Sequence, residues 1–383
     1  MSAGYEVGIV GAGILGLAHA YQFARRGLKV AVFERHPQAR GASVRNFGMI
    51  WPVGQPLGDS YGLARRSRDT WLAVLRQSGL WHHESGSLHA VYHDDEAQVL
   101  REFVAQSAGT DRQCELLEPR AVAERFPAVV QTNLRAALWS PVELAVDPRE
   151  VVAGLPAWLA RTHGVEFHFN TTVLGYDLPR LRTSGGERAV KRLVICTGAD
   201  FRELAPAAFA DSGMVLCKLQ MMRSQPYGDR FRIGTHLCAG LTLGHYGGFA
   251  ACPTLQTVVK RHEVELPEHR RWGVHVLVSQ NAAGELTLGD THVYGDTEAC
   301  CPFDDPKLDE LVLDYLKTFL NPPDLRIAAR WNGTYMKTPG AAYTLARLAP
   351  DAVAVTGVGG AGMTLSFGLA ERVARQLLGE GDG

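Results

Sequence analysis

The sequence predicts an α/β fold, α+β overall, in which a Rossmann-type domain is interleaved with a second domain built on an antiparallel sheet. Three observations predict it. The chain opens with a strand, a glycine turn, a helix and a second strand. Glycine turns that close buried strands recur far away, at Cys196-Thr-Gly-Ala199 and Gly357-Val-Gly-Gly-Ala-Gly362. Between about Met214 and Gly295 the pattern turns strand-rich and loses the strand–helix alternation of further parallel units. Residues 1–85, 145–213 and 325–383 are assigned to the first domain, and 86–144 and 214–324 to the second.

Val7 to Val10 is the first apolar strand. The helix after it carries Leu17, Ala20, Tyr21 and Ala24 at helical spacing, with Gly27 as its stop. Leu28 to Glu34 is the second strand. A glycine-rich segment from Gly41 to Gln55 follows, then a helix from Tyr61 to Gln77. Glu96 to Ser107 and Pro119 to Arg125 read as helices. Asp147-Pro148 opens another, which runs to His163 and stops at Gly164. Val165 to Thr172 alternates as a strand, and Arg192 to Cys196 is a short buried one. Trp272 to Ser279 and Glu285 to Gly289 are expected strands of the second domain. Lys307 to Phe319 is a helix broken by Asn321-Pro322-Pro323. Ala352 to Thr356 is a buried strand, and Thr364 to Leu378 the last helix.

A length of 383 residues suits two packed domains, and 46% hydrophobic with 21% charged residues supplies an ordinary core. The net charge of −1 and pI near 6.9 argue against a nucleic acid or an anionic membrane as the main partner. Seven cysteines, an odd count without C-x-x-C, read as reduced and mostly buried thiols. No metal is expected: His82-His83-Glu84, the nearest approach to a ligand group, reads as a solvated loop. No apolar run reaches the length of a membrane span, and the first strand leads into a glycine turn rather than a cleavage site. The expectation is a cytoplasmic protein. Oligomeric state leaves no legible trace.

Gly11-Ala-Gly-Ile-Leu-Gly16 matches G-x-G-x-x-G in the context that gives the pattern meaning: after a strand, opening a helix, with Glu34 at the end of the next strand. Gly11 permits the sharp turn, Gly13 lets the backbone approach a pyrophosphate, and Gly16 lets helix and strand pack closely. The helix start at Ile14 and Leu15 offers N–H groups and the positive dipole end to phosphates. Glu34 would accept from ribose hydroxyls, and Arg35 beside it is assigned to the same site. This unit would also serve NAD, but no second mononucleotide-binding half follows Glu34. A long cofactor touching distant segments accounts for the recurring glycine turns, and FAD is such a cofactor.

The whole chain resembles the D-amino-acid oxidase, glycine oxidase and sarcosine oxidase family. The N-terminal motif, Gly41-Ala-Ser-Val-Arg-Asn-Phe-Gly48, Cys196-Thr-Gly-Ala199 and the terminal T-G-x-G-G-x-G-M-T segment stand in the family's order and at similar spacing. The resemblance implies an FAD domain of the D-amino-acid oxidase/glutathione reductase type, assembled from separated segments. It places Ser43, Arg45, Asn46 and Gly48 near the flavin ring or ribityl chain, and Val173 of Asn170-Thr-Thr-Val173 at the adenine. Thr197 and Gly198 fall along the cofactor, and Gly359, Gly360, Gly362 and Met363 at the pyrimidine end. Sarcosine oxidase-like members attach FAD through a cysteine upstream of T-P-D. Here the stretch is Gly333-Thr-Tyr-Met-Lys-Thr-Pro-Gly340, with glycine in the cysteine's place, so FAD is expected to be non-covalent. Gly340 also replaces the aspartate.

What the resemblance implies chemically is oxidation of a small amine by hydride transfer to flavin, imine hydrolysis to an aldehyde or keto acid, and reoxidation by O2. No acid–base triad is evident, and no catalytic residue is assigned. Val44 to Gln55 is similar to a branch that accompanies phosphonate degradation, implying an aminoethylphosphonate or its N-methyl derivative as substrate. Arg45, His245 and Tyr246 of Gly244-His-Tyr-Gly247, Trp331, Tyr335 and Lys337 are the candidate substrate-binding residues. Lys337 stands out because arginine outnumbers lysine 32 to 7. The alternatives are a glycine, sarcosine or D-amino-acid oxidase, a flavin-dependent RNA-modifying protein, disfavoured by the lack of a basic appendage, and a flavin sensor without turnover.

Overall fold

A computed structural model describes residues 4–210 and 212–381. The first of its sheets has eight strands. Tyr5–Val10 runs through its middle, parallel to Gly186–Ile195 on one side and Val30–Phe33 on the other. Glu166–His168 extends the parallel set past Val30–Phe33, and Ala352–Thr356 extends it past Gly186–Ile195. Parallel strands covered on both faces need unbroken apolar runs. Val30-Ala-Val-Phe33 and Ala352-Val-Ala-Val-Thr356 are such runs, buried at every position. Thr344–Ala349 lies antiparallel at one edge, and the hairpin of Val173–Asp177 and Arg180–Thr183 pairs with the start of Gly186–Ile195.

Helix Ile14–Ala24 is buried along its whole length, packed against the sheet and against helices Gly362–Leu378 and Pro148–His163. Helix Asp59–Ser78 locks onto the same layer. Trp71 Nε1 donates to the Met363 carbonyl at 2.8 Å, and Ser67 Oγ accepts from Phe367 N at 3.1 Å.

The second sheet has nine strands and is antiparallel but for the pairing of His236–Ala239 with Ser87–Val91. Its longest ladder joins Val215–Ser224 to Ile327–Lys337, from Val215 opposite Lys337 to Ser224 opposite Ile327. Separate apolar clusters fill its two faces, one around Phe103, Phe249 and Met221 and one around Val276, Leu288 and Phe319. A small third sheet joins Met49–Ile50, Leu144–Val146 and His82–His83, and so ties the glycine-rich segment into the fold.

Three expectations need correction. Ile327–Lys337 joins the second sheet, so a boundary at 325 assigns it to the wrong side; the chain re-enters the first sheet only at Thr344. The stretch 214–295 holds helices Leu255–Glu265 and Pro267–Arg271, and the strand expected from Trp272 shrinks to Leu277–Gln280 because Trp272 caps the second of them. The strand expected over Val165 to Thr172 is limited to Glu166–His168, since Asn170 turns the backbone with φ 52°. No helix among the described residues is long and apolar enough to cross a membrane. All seven cysteines are free; Cys300 and Cys301 are exposed.

Candidate functional site

The carboxyl ends of the parallel strands open into one continuous trench of about 1340 Å³ that passes between the two sheets. That is larger than the ~300–1,000 Å³ of a typical single-ligand site, and leaves room for an extended cofactor together with a substrate.

At one end the turn after Tyr5–Val10 forms the wall. Gly11 has φ 99°, and a Cβ there would collide with the Cys196 carbonyl oxygen. A Cβ on Gly16 would strike the Gly11 carbonyl oxygen, so the helix can approach the strand only because both positions are glycine. Glu34 is buried, and its carboxylate accepts Ala12 N at 3.0 Å and His36 N at 3.0 Å. The carboxylate is thereby fixed at the trench wall with lone pairs to spare for ribose hydroxyls. Arg35 faces Asp200 at 2.7 Å across the rim. Ser43 Oγ accepts Ile14 N at 2.9 Å, which pins the glycine-rich segment over the helix start. Leu15, Thr172, Val173, Thr197 and Gly198 continue this wall.

At the other end the short turn Gly359–Ala361 and the start of Gly362–Leu378 present backbone to the trench, with Gly360 and Met363 among its lining. No side chain caps that helix start, so its N–H groups and dipole remain available to a group that gains negative charge. The residues present therefore fit FAD along the full length of the trench.

Beyond this end the trench widens against the second sheet. Tyr335, from the long ladder, has its hydroxyl 3.9 Å from where a Gly360 Cβ would stand. Tyr246 stacks on Trp51 with ring centroids 5.7 Å apart, and Trp51 N in turn donates to Thr364 Oγ1 at 2.9 Å. Lys337 Nζ lies 3.3 Å from the Tyr294 hydroxyl. Arg45 NH1 donates to the Asn332 carbonyl at 3.0 Å. His245 sits beside His275 and His292, at centroid distances of 3.6 and 4.6 Å. Burial, then the charge of its two neighbours, drives His245 well below the usual imidazole range; burial holds His292 down to about 4.

A model of the DAO family, described as FAD dependent oxidoreductase, matches residues 6–376. The chain belongs to that family. Among curated relatives this oxidoreductase is similar to glycine oxidase of Geobacillus kaustophilus, 28% identical over 218 residues that make up 52% of this chain and 56% of the relative. It is also similar to monomeric sarcosine oxidase of Streptomyces avermitilis, at 25% over 244 residues, 56% of each chain. The matches thus span little more than half the length of these relatives. Among solved structures, L-proline dehydrogenase from P. horikoshii superposes with a TM-score of 0.80 at 20% identity, covering 100% of this chain and 95% of the other. That likeness establishes the shared fold.

Most residues singled out in the sequence converge on the trench of this FAD dependent oxidoreductase. Two do not line it. Gly48 lies behind the wall: a Cβ there would strike the Val146 carbonyl oxygen, so its role is to let the glycine-rich segment meet strand Leu144–Val146. Trp331 stands beyond Arg45, to whose carbonyl its Nε1 donates at 3.4 Å, and borders a separate small pocket with Arg223. Asn46 reaches the trench, but its side chain is spent on the loop, donating to the Ala42 and Ser43 carbonyls and accepting Gly48 N. Sequence reasoning missed His275, Asp290 and His292. They come together because Leu277 pairs with Gly289, a register that no local pattern signals.

Proposed function

We propose that the protein is an FAD-dependent amine oxidase whose substrate is a small amine with an anionic end, of the aminoethylphosphonate type or its N-methyl derivative. The observation that carries this reading is the continuity of the trench. The walls that fit FAD lead without a break into a chamber bounded by Tyr335 and Tyr246, with Lys337, Arg45 and three imidazoles around it. FAD bound there supplies the two-electron acceptor. Tyr335 and the Tyr246–Trp51 stack exclude water and hold the alkyl part of the amine edgewise to the cofactor end. Lys337 and Arg45 supply charge-assisted donors for an oxyanion, and a phosphonate calls on more of them than a carboxylate does. The imine product hydrolyses to an aldehyde, and O2 takes the electrons.

Gly333 lines the trench where a cysteine would be needed for a covalent link, which supports non-covalent FAD. Acid precipitation should release all of the yellow colour into the supernatant.

The experiment is anaerobic mixing of the yellow protein with aminoethylphosphonate, its N-methyl form, sarcosine, glycine and D-alanine, followed by flavin absorbance. Bleaching by the phosphonates alone is expected. Bleaching by sarcosine or glycine alone transfers the reading to the amino-acid oxidases, in line with the curated relatives. No bleaching by any amine overturns it.

A further inference from the structure

The chamber contains a side-chain group for which amine oxidation has no need. His245, His275 and His292 come from three separate segments, and one ring nitrogen of each lies within 4.8 Å of the others. His275 and His292 are buried, and Asp290 beside them is 6% exposed. Asp290 Oδ1 is 3.0 Å from His275 Nδ1, and Oδ2 is 3.9 Å from His292 Nε2. His292 Nδ1 donates to the Gly273 carbonyl at 2.9 Å. Asp290 Oδ1 nevertheless has no partner of hydrogen-bonding geometry. The ion pairs among the described residues give Asp290 no arginine or lysine. A buried carboxylate with an unpartnered oxygen, placed among imidazoles, is a costly arrangement unless a cation completes it.

We propose that His245, His275 and His292 bind one divalent transition-metal ion of the zinc, cobalt or nickel class. A backbone carbonyl at Nδ1 orients His292 as outer partners orient metal-bound histidines, and the Asp290 carboxylate, 3.0 Å from His275 Nδ1 but misaligned with it, would take the same part once an ion fixes that ring. Each leaves Nε2 as the free lone pair. Three imidazoles and no thiolate suit borderline ions rather than magnesium or calcium. All three histidines line the trench, so an ion held by them keeps a coordination position open towards it, as in three-histidine sites that bind water or substrate. An oxyanion of the substrate would take that position. This last step rests on the amine-oxidase reading; metal binding itself does not.

The test uses the FAD-loaded protein, stripped with chelator and dialysed, then titrated with cobalt(II) and, separately, zinc(II). The expected result is uptake of about one ion per chain, with cobalt d–d bands to the red of the flavin absorption. His292→Ala should abolish those bands. Asp290→Asn should weaken zinc binding by about 10–100-fold, the usual cost of removing an outer partner. His82→Ala, in the small third sheet and outside the trench lining, should change neither. His245→Gln, on a loop, serves as a second ligand variant, and the flavin content of every variant reports that it has folded. Absence of stoichiometric uptake by the parent, or uptake unchanged in both His292→Ala and His245→Gln, overturns the proposal. Amine bleaching with no metal uptake would sink the metal site alone; metal uptake with no bleaching would sink the function alone.

Discussion

Glu143→Gln should stabilise the protein at pH 8 and leave it nearly unchanged at pH 5. Glu143 is fully buried, and its carboxylate accepts Val53 N at 3.1 Å and the Ser87 hydroxyl at 3.1 Å. Burial pushes its carboxyl up to about 7 from an ordinary 4.5, against the smaller opposing pull of those hydrogen bonds. The folded chain therefore keeps this proton up to about pH 7, whereas the unfolded chain releases it near 4.5. The stability cost is absent below the lower value, grows as pH rises between the two, and is complete above the upper one. At about 1.4 kcal/mol per pH unit, the interval amounts to about 3 kcal/mol. Spread over the unfolding entropy of a chain this long, that is about 4 °C in Tm. Glutamine keeps the acceptor for Val53 N, and the Ser87 hydroxyl can turn to receive an amide proton. Thermal unfolding by circular dichroism, with FAD saturating at both pH values, measures the difference. A variant no more stable than the parent at pH 8, or a difference that does not change with pH, would refute the reasoning.

Other changes act on the trench directly. Gly16→Val drives a side chain into the Gly11 carbonyl, so the purified protein should carry less than about a tenth of an FAD per chain by absorbance ratio. Glu34→Ala removes a charged acceptor together with the brace on Ala12 and His36; FAD affinity by fluorescence titration should fall about 10–100-fold, or ~1.5–3 kcal/mol. Lys337→Gln should raise KM for an anionic amine about 5–10-fold, with kcat within about twofold, in oxygen-uptake assays; an equal rise for an uncharged amine would count against its role. Trp331→Phe, outside the trench, should leave flavin reduction by the same amine unchanged.

The dinucleotide end was legible because its chemistry is local. Gly11, Gly13 and Gly16 stand within one six-residue motif, and the constraint each satisfies is set by the strand, turn and helix it joins. The glycine turn from Gly357 to Gly362 was readable for the same reason, whereas its place at the pyrimidine end came from the family resemblance alone. The second sheet was harder. Ile327–Lys337 alternates like a strand of either domain, and only pairing with Val215–Ser224 decides the matter. The histidine group was illegible for a related reason. His275 and His292 flank a pairing whose register depends on packing far from either, while His245 approaches from a loop. Gly48 looked like a cofactor residue because sequence order cannot separate a wall of the trench from the backing that holds it.

The trench takes its walls from Val10 through to Met363, and the sheet beneath it pairs residues as distant as Val7 with Arg192 and Leu193 with Ala352. A ribosome-bound chain therefore has no complete cofactor site to offer until Met363 has emerged. Helix Ile14–Ala24 must wait for Gly362–Leu378, made far later, to cover its apolar side. During that interval the nascent chain presents an uncovered greasy surface, of the kind that chaperones recognise. Uptake of FAD then marks a chain whose distant segments have met. Because a ligand that binds only the folded state adds to its stability, a scarcity of flavin in the cell would be felt first as a loss of intact protein, before any loss of turnover by the molecules that remain.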